Sequence, residues 1–179
     1  MKGIVFKELL GMAEEVAGEE VVEQVIEESD LPSGGAYTSV GTYDHTEVLS
    51  IVSGLSGKLK LPINSLVVSF GEHLVKVFLK RYPRFFDHEE VFSFLESIDS
   101  YIHVEVRKLY PDAELPKFTT SRDGDGVLVM KYESRRPFAK LAEGLIRGSI
   151  RHFGNGEELE VDIEPEYSGK KATFRIIKR

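Results

Sequence analysis

Two sets of side chains in this sequence have the types and spacing to do chemistry. One is His103, set in a long apolar run; the other is Tyr132, Ser134 and Arg136, at alternate positions of a predicted strand end. His103 lies among Ile102, Val104 and Val106, with Phe92, Leu95 and Ile98 upstream. An imidazole so placed reads either as a metal ligand or as a buried histidine whose nitrogens find backbone or side-chain partners, and periodicity does not choose between them. The triplet is more directional. A phenol, a hydroxyl and a guanidinium at i, i+2 and i+4 on a strand project to one face, where all three donate hydrogen bonds to one anion. It reads as a clamp for a carboxylate or phosphate, or else as a solvent-facing hairpin end.

The remaining chemistry is bounded by what is missing. The 179 residues contain no cysteine, which removes disulfides, thiolate zinc sites, iron–sulfur clusters and cysteine nucleophiles. The other histidines, His45, His73, His88 and His152, include no i, i+4 pair and no HExxH, so a multi-histidine centre is disfavoured. His45 and His88 fall in the first turns of predicted helices, as capping or solvated groups, and His152 falls near a helix C-terminus, where the dipole favours its protonated form. No GxSxG, phosphate-binding loop or kinase signature occurs, so the chain reads as a binding module and not an enzyme. A net charge of -7 makes nucleic acid a poor partner. The opening MKGIVFKELLGMAEE is broken by Lys7 and Glu8, which argues against a signal peptide or membrane span and points to the cytoplasm.

Helices come first along the chain and sheet later. Helical spacing runs over residues 3 to 16 and from Glu19 to Glu28, and a Pro- and Gly-containing loop covers residues 30 to 43. Asp44 with Glu47 resembles a capping box; Leu66, Val67, Phe70, Leu74, Val77 and Phe78 then mark a long helix that Tyr82-Pro83 closes. Asp87 with Glu90 repeats the capping pattern and opens a helix of about five turns that contains His103 and runs to Tyr110. Beyond Pro111, LPKFTTS and GVLVMKYES form a hairpin, Phe138 to Phe153 a helix, and ELEVDIEPEY with ATFRIIKR a second hairpin around Ser168-Gly169. The expected class is α+β: one domain over 1–179, with a helical N-terminal subdomain (1–60) and a subdomain (61–179) whose four-stranded antiparallel sheet packs with helices.

The motifs MKGIVF, FGEHLVKVF, IHVEVRKLYP, LPKF, YESRR and GLIRGSIRHF stand in order along essentially the whole chain. Together they resemble the haem nitric oxide/oxygen binding (H-NOX) domains, bacterial relatives of the haem domain of soluble guanylate cyclase. The resemblance implies a cofactor, haem b (iron protoporphyrin IX), lying between helical subdomain and sheet. It implies His103 as the proximal, metal-binding ligand and Tyr132, Ser134 and Arg136 as the YxSxR triad that binds the propionates. It further implies that Pro116 presses on the haem and distorts it, and that Val5 stands where a larger aliphatic residue of some members adds to the distortion. Some zinc-containing members carry cysteines near the C-terminus; EYSGKKATF here has none, which excludes that thiol input.

Gas selectivity turns on the distal side. Bound dioxygen takes on superoxide character and gains from a hydrogen-bond donor, whereas nitric oxide binds ferrous iron without one. Oxygen-binding members resemble one another in a distal tyrosine; the matching positions here are Leu9, Leu74 and Leu141, with Phe78 and Leu145 completing an apolar lining. The resemblance thus implies a sensor that binds nitric oxide and carbon monoxide, excludes oxygen and releases His103. Release would free the helix Glu89 to Tyr110 to shift against the sheet and signal to a sensor histidine kinase or a cyclic-di-GMP enzyme. Three alternatives stay open. His73, adjoining Leu74, would make an oxygen-binding member if the helical phase were one residue off. A haem-free regulatory module would use the triplet for a small carboxylate or phosphate. A haem peroxidase would need distal acid–base groups that the leucine lining lacks.

Overall fold

The structure, a computed structural model, describes every residue except Asn155, Gly156, Glu157 and Tyr167. Periodic apolar residues form four helices in the N-terminal part, α1 (Gly3–Ala17), α2 (Glu19–Glu28), α3 (His45–Leu59) and α4 (Ile63–Arg81). The described chain divides into two compact units, Met1–Phe70 and Gly71–Arg179, the division falling inside α4.

In the first unit Phe6, Leu9, Val25 and Ile51 are each 1% exposed or less and form the core of the helices. Asp44 begins α3 as expected, accepting from the Thr46 N–H at 2.8 Å. Glu47 does not complete a capping box. It is 3% exposed and is held by the preceding loop, where the Tyr37 hydroxyl donates to it at 2.8 Å and the Ser33 hydroxyl donates as well. A buried carboxylate needs donors on its oxygens, and the loop brings two that a helix end lacks.

The second unit is built on four antiparallel strands, β1 (Lys117–Arg122), β2 (Val127–Glu133), β3 (Leu159–Pro165) and β4 (Lys171–Lys178), in the order β1-β2-β4-β3. Both expected hairpins form, with Phe118 opposite Tyr132 in one and Ile163 opposite Phe174 in the other. β2 and β4 then join them, placing Tyr132 opposite Ala172. Tyr167, the last residue of the expected third strand, lies outside the described residues. Alternation turns Leu128, Met130, Tyr132, Phe174 and Ile176 inward, where they pack with α7 (Ala139–His152) through Ala142 and Ile146.

The run expected as one helix from Glu89 to Tyr110 differs in kind. It consists of α5 (Val91–Ser97), a π-helical turn (Ile98–Ile102) and α6 (His103–Leu109). The His103 N–H bonds to the Ile98 carbonyl, five residues back, so one wide ring interrupts the α-helical ladder immediately before the histidine. The Asp87–Glu90 capping box is also absent. Asp87 follows a 3-10 turn (Pro83–Phe86), and Glu90 caps α5 without a side-chain bond, its carboxylate being drawn to Lys178 at 3.0 Å.

Candidate functional site

His103 is the first residue of α6 and is 8% exposed. Its Nδ1 lies 3.0 Å from Asp99 Oδ1, and that same oxygen accepts the Phe118 N–H from β1 at 3.3 Å. An ionised carboxylate only accepts, so Nδ1 carries the ring proton and Nε2 keeps its lone pair. Burial, opposed by Asp99, holds the His103 pKa below the usual histidine value, which keeps the ring neutral near pH 7. The imidazole centroid is 6.0 Å from Phe118, whose ring is 5.5 Å from that of Tyr132.

The triplet is assembled differently from the expectation that all three side chains share one strand face. β2 ends at Glu133, and Ser134 and Arg136 lie in the turn beyond it. The Ser134 N–H donates to the Lys170 carbonyl at 2.8 Å, and Ser134 Oγ accepts the Arg136 N–H at 3.1 Å. Pro137 has no N–H to extend the ladder and bars the residue before it from the helical region, so the chain must turn before α7 begins. The turn still gathers the groups. Burial raises the pKa of the Tyr132 phenol, while hydrogen bonds from the Ser134 side chain and the Phe138 N–H and the charge of Arg136 oppose the rise. Arg136, its side chain 16% exposed, holds the Glu114 carboxylate at 2.8 Å. Pro116 is half-buried, one residue before β1.

Two helices of the second unit supply apolar residues at helical spacing. Leu74 and Phe78 lie on α4, Leu141 and Leu145 on α7; Leu74 is buried and the other three are half-buried. The helices approach closely because Gly71 has no Cβ: one added there would stand 2.6 Å from the Leu141 carbonyl oxygen and 2.7 Å from Gly144 Cα. In the first unit Leu9 is 1% exposed and Val5 half-buried on α1. His73 lies half-buried on α4. His88 is not a free helix-start group: its Nε2 is 3.3 Å from Ser97 Oγ and its ring stands edge-on to Phe94.

Sequence reasoning missed Asp99, Phe118 and Glu114. Asp99 had a readable signal, an acidic residue four positions before the histidine on one helix face. Glu114 had none, since it meets Arg136 across 22 residues. Among the described residues no group of three or more His, Asp or Glu is placed to hold a metal. One neutral imidazole with a fixed tautomer, beside a cluster of anion-binding donors, suits an iron whose equatorial ligands arrive with a porphyrin bearing carboxylates. No helix among the described residues is long and apolar enough to cross a membrane.

Similarity to solved structures runs along the chain. The unliganded Fe(II) H-NOX protein from K. algicida is 36% identical, the match covering 100% of this chain and 97% of that one, with a TM-score of 0.94. The IWP-051-bound H-NOX from Shewanella woodyi in the Fe(II)CO state is 38% identical over 100% of this chain and 95% of that one, TM-score 0.81. An H-NOX protein from S. oneidensis in the Fe(II)NO state is 28% identical over 100% and 99%, TM-score 0.87. A comparison with curated proteins finds no match. The profile of the Haem-NO-binding family matches residues 2–163. This match over most of the chain, with a buried histidine on a helix and the Tyr-Ser-Arg cluster at the end of β2 in keeping with it, makes the chain a member of the Haem-NO-binding family, the H-NOX haem-based gas sensors.

Proposed function

We propose that this chain senses nitric oxide and excludes oxygen, and that it signals to a partner protein when His103 leaves the iron. The observation that carries the reading is the buried, neutral His103, with Nδ1 tied to Asp99 and Nε2 left with its lone pair. Haem b would supply the iron that takes nitric oxide or carbon monoxide. His103 would hold the iron through Nε2, the nitrogen that Asp99 leaves free. Tyr132, Ser134 and Arg136 would hold the propionates, as Arg136 holds the Glu114 carboxylate. Pro116 and Val5 keep the distorting role that the resemblance gives them. Leu9, Leu74, Phe78, Leu141 and Leu145 offer no hydrogen-bond donor, which disfavours oxygen and leaves nitric oxide unaffected. Leu9, Leu74, Leu141, Leu145 and Phe78 carry no acid–base group, and in this reading the chain is a sensor and not an enzyme; output passes to a sensor histidine kinase or a cyclic-di-GMP enzyme.

The test is the visible spectrum of anaerobically reduced protein before and after nitric oxide, and separately in air. A Soret shift to the position of an iron that has lost its histidine, with no persistent oxygen complex, is the expected result. His103→Gly should retain haem only with added imidazole; full retention with an unchanged spectrum would falsify the assignment. A stable oxygen complex would make the chain an oxygen-binding member. The pairing of Arg136 with a carboxylate also favours a second reading, a haem-free module for small carboxylates, which predicts no Soret band after reconstitution.

A further inference from the structure

The helix that carries His103 has two halves on unequal footing. α5 buries Val91, Phe92, Phe94 and Leu95, each 4% exposed or less, in the sheet core. α6 buries His103 alone, and its Val104 and Leu109 are 40% and 56% exposed. The π turn between them buries no residue. Such a difference in apolar burial sets α5 at the stable end of local opening and α6 at the labile end.

α5 is also gripped from the sheet. Arg122, the last residue of β1, meets Glu96 bidentately, Nε to Oε1 and Nη2 to Oε2, both at 2.7 Å. Its guanidinium carbon lies 4.9 Å from the centre of the buried Phe92 ring, and Lys178 of β4 sets its Nζ 4.7 Å from the same ring. Glu90 closes the cluster, accepting from Lys178 at 3.0 Å and standing 3.7 Å from Arg122. Two cations on one aromatic ring, each paired with a carboxylate of the helix end, tie α5 to β1 and β4. The ties of the turn and of α6 are lighter: in the turn Tyr101 stands edge-on to Phe85 at 6.1 Å and Asp99 accepts the Phe118 N–H at 3.3 Å, and beyond it the His103 ring lies 6.0 Å from Phe118 and the Tyr110 and Tyr82 hydroxyls are 3.5 Å apart.

The π turn is suited to bending. Its wide ring spends one extra residue, and a one-residue change of hydrogen-bond register there turns everything downstream by about 100° while leaving α5 where it is.

We propose that Arg122 is a positioning residue of the gas response. With Glu96 and Phe92 it holds α5 as the fixed end, the turn Ile98–Ile102 is the hinge, and loss of the His103 bond moves only the chain beyond it. This inference rests on the proposed release of His103. It is tested by hydrogen exchange, read by mass spectrometry, on the haem-loaded ferrous protein with and without nitric oxide. In the unaltered protein nitric oxide should raise exchange over residues 103–109 and leave 91–97 unchanged. Arg122→Ala should raise exchange over 91–97 by about fivefold even without nitric oxide, and should let the response spread across the turn. Arg122→Lys, which keeps a cation over Phe92, should restore most of the confinement. If Arg122→Ala does not fold, Glu96→Gln is read in its place, with the same expectation. A response that covers 91–97 equally in the unaltered protein, or one that stays confined in the variant, overturns the proposal. The Soret band of the same samples separates the two readings. If His103 stays on the iron under nitric oxide, release is wrong, and the clamp stands or falls on the exchange of 91–97 without gas.

Discussion

At the scale of single residues, the proposed discrimination between gases rests on whether a hydrogen-bond donor meets the bound gas. Leu141, half-buried on α7, stands at a position where the resemblance puts a tyrosine in oxygen-binding members. Leu141→Tyr adds a phenolic O–H where the leucine offers no donor. A hydrogen bond to a partly charged acceptor is worth about 1.5–3 kcal/mol, so oxygen retention in air should lengthen by roughly ten- to a hundredfold. Stopped-flow absorbance measures it; an unchanged oxygen lifetime would mean that polarity at this position is not what discriminates. The residue scale is also where the sequence was most readable. His103 stood out as either a metal ligand or a buried histidine, and the Tyr-Ser-Arg spacing read as either an anion clamp or a solvent-facing hairpin end. Its geometry was misjudged because alternation on a strand was carried past Glu133, where Pro137 forces a turn.

At the scale of elements, close approaches decide which residues are tolerated. Gly3 opens α1 against the loop that precedes α3, and a Cβ there would stand 1.9 Å from the Thr38 carbonyl oxygen and 2.8 Å from the Tyr43 ring. Gly3→Ala must push the loop off α1 and should cost about 1–3 kcal/mol. Gly57→Ala in α3 is the control. A Cβ at that position meets nothing within 4 Å, so the better helix propensity of alanine should leave stability equal or higher. Urea midpoints compare the two; equal midpoints would show that the loop yields at no cost. The elements themselves were largely readable, since α2, both hairpins and α7 follow from periodicity and turn residues. The π turn was not. Its wide ring leaves the hydrophobic pattern of the run unbroken, and nothing local marks where the hydrogen-bond partner changes.

At the scale of the whole molecule, the dependence of stability on pH follows from groups whose folded and unfolded pKa values differ. In the haem-free protein, His103 is held below its ordinary 6.5 chiefly by burial, and Glu96 below its ordinary 4.5 chiefly by the hydrogen bonds from Arg122. Each contributes stability above its unfolded pKa and loses that contribution as pH falls through the folded one. Tyr37 moves the other way, from 10.0 to about 12, mainly by burial, so its contribution is complete below 10.0 and is lost as pH rises through about 12. The urea midpoint should therefore be flat between about pH 7 and 9, falling on both sides. Were repulsion within a chain of net charge -7 the dominant effect, the maximum would sit near the isoelectric point of 5.3 instead. A maximum there would overturn the assignment to these groups.

Periodicity, punctuation and residue type alone determined the α+β class and the order of helices and hairpins, because each depends on neighbours a few residues apart; they marked His103 and the Tyr132, Ser134 and Arg136 triplet only as candidates. The tertiary structure alone decided what holds those groups. Asp99 sets the His103 tautomer only because a wide turn and β1 bring Phe118 to the same oxygen. Glu47 leaves its helix end for a buried loop contact, Glu114 reaches Arg136, and Glu90 and Glu96 meet cations from two strands. Hydrogen bonds between residues distant in sequence are set by packing geometry, and no local pattern records where a long, flexible carboxylate will find its donor.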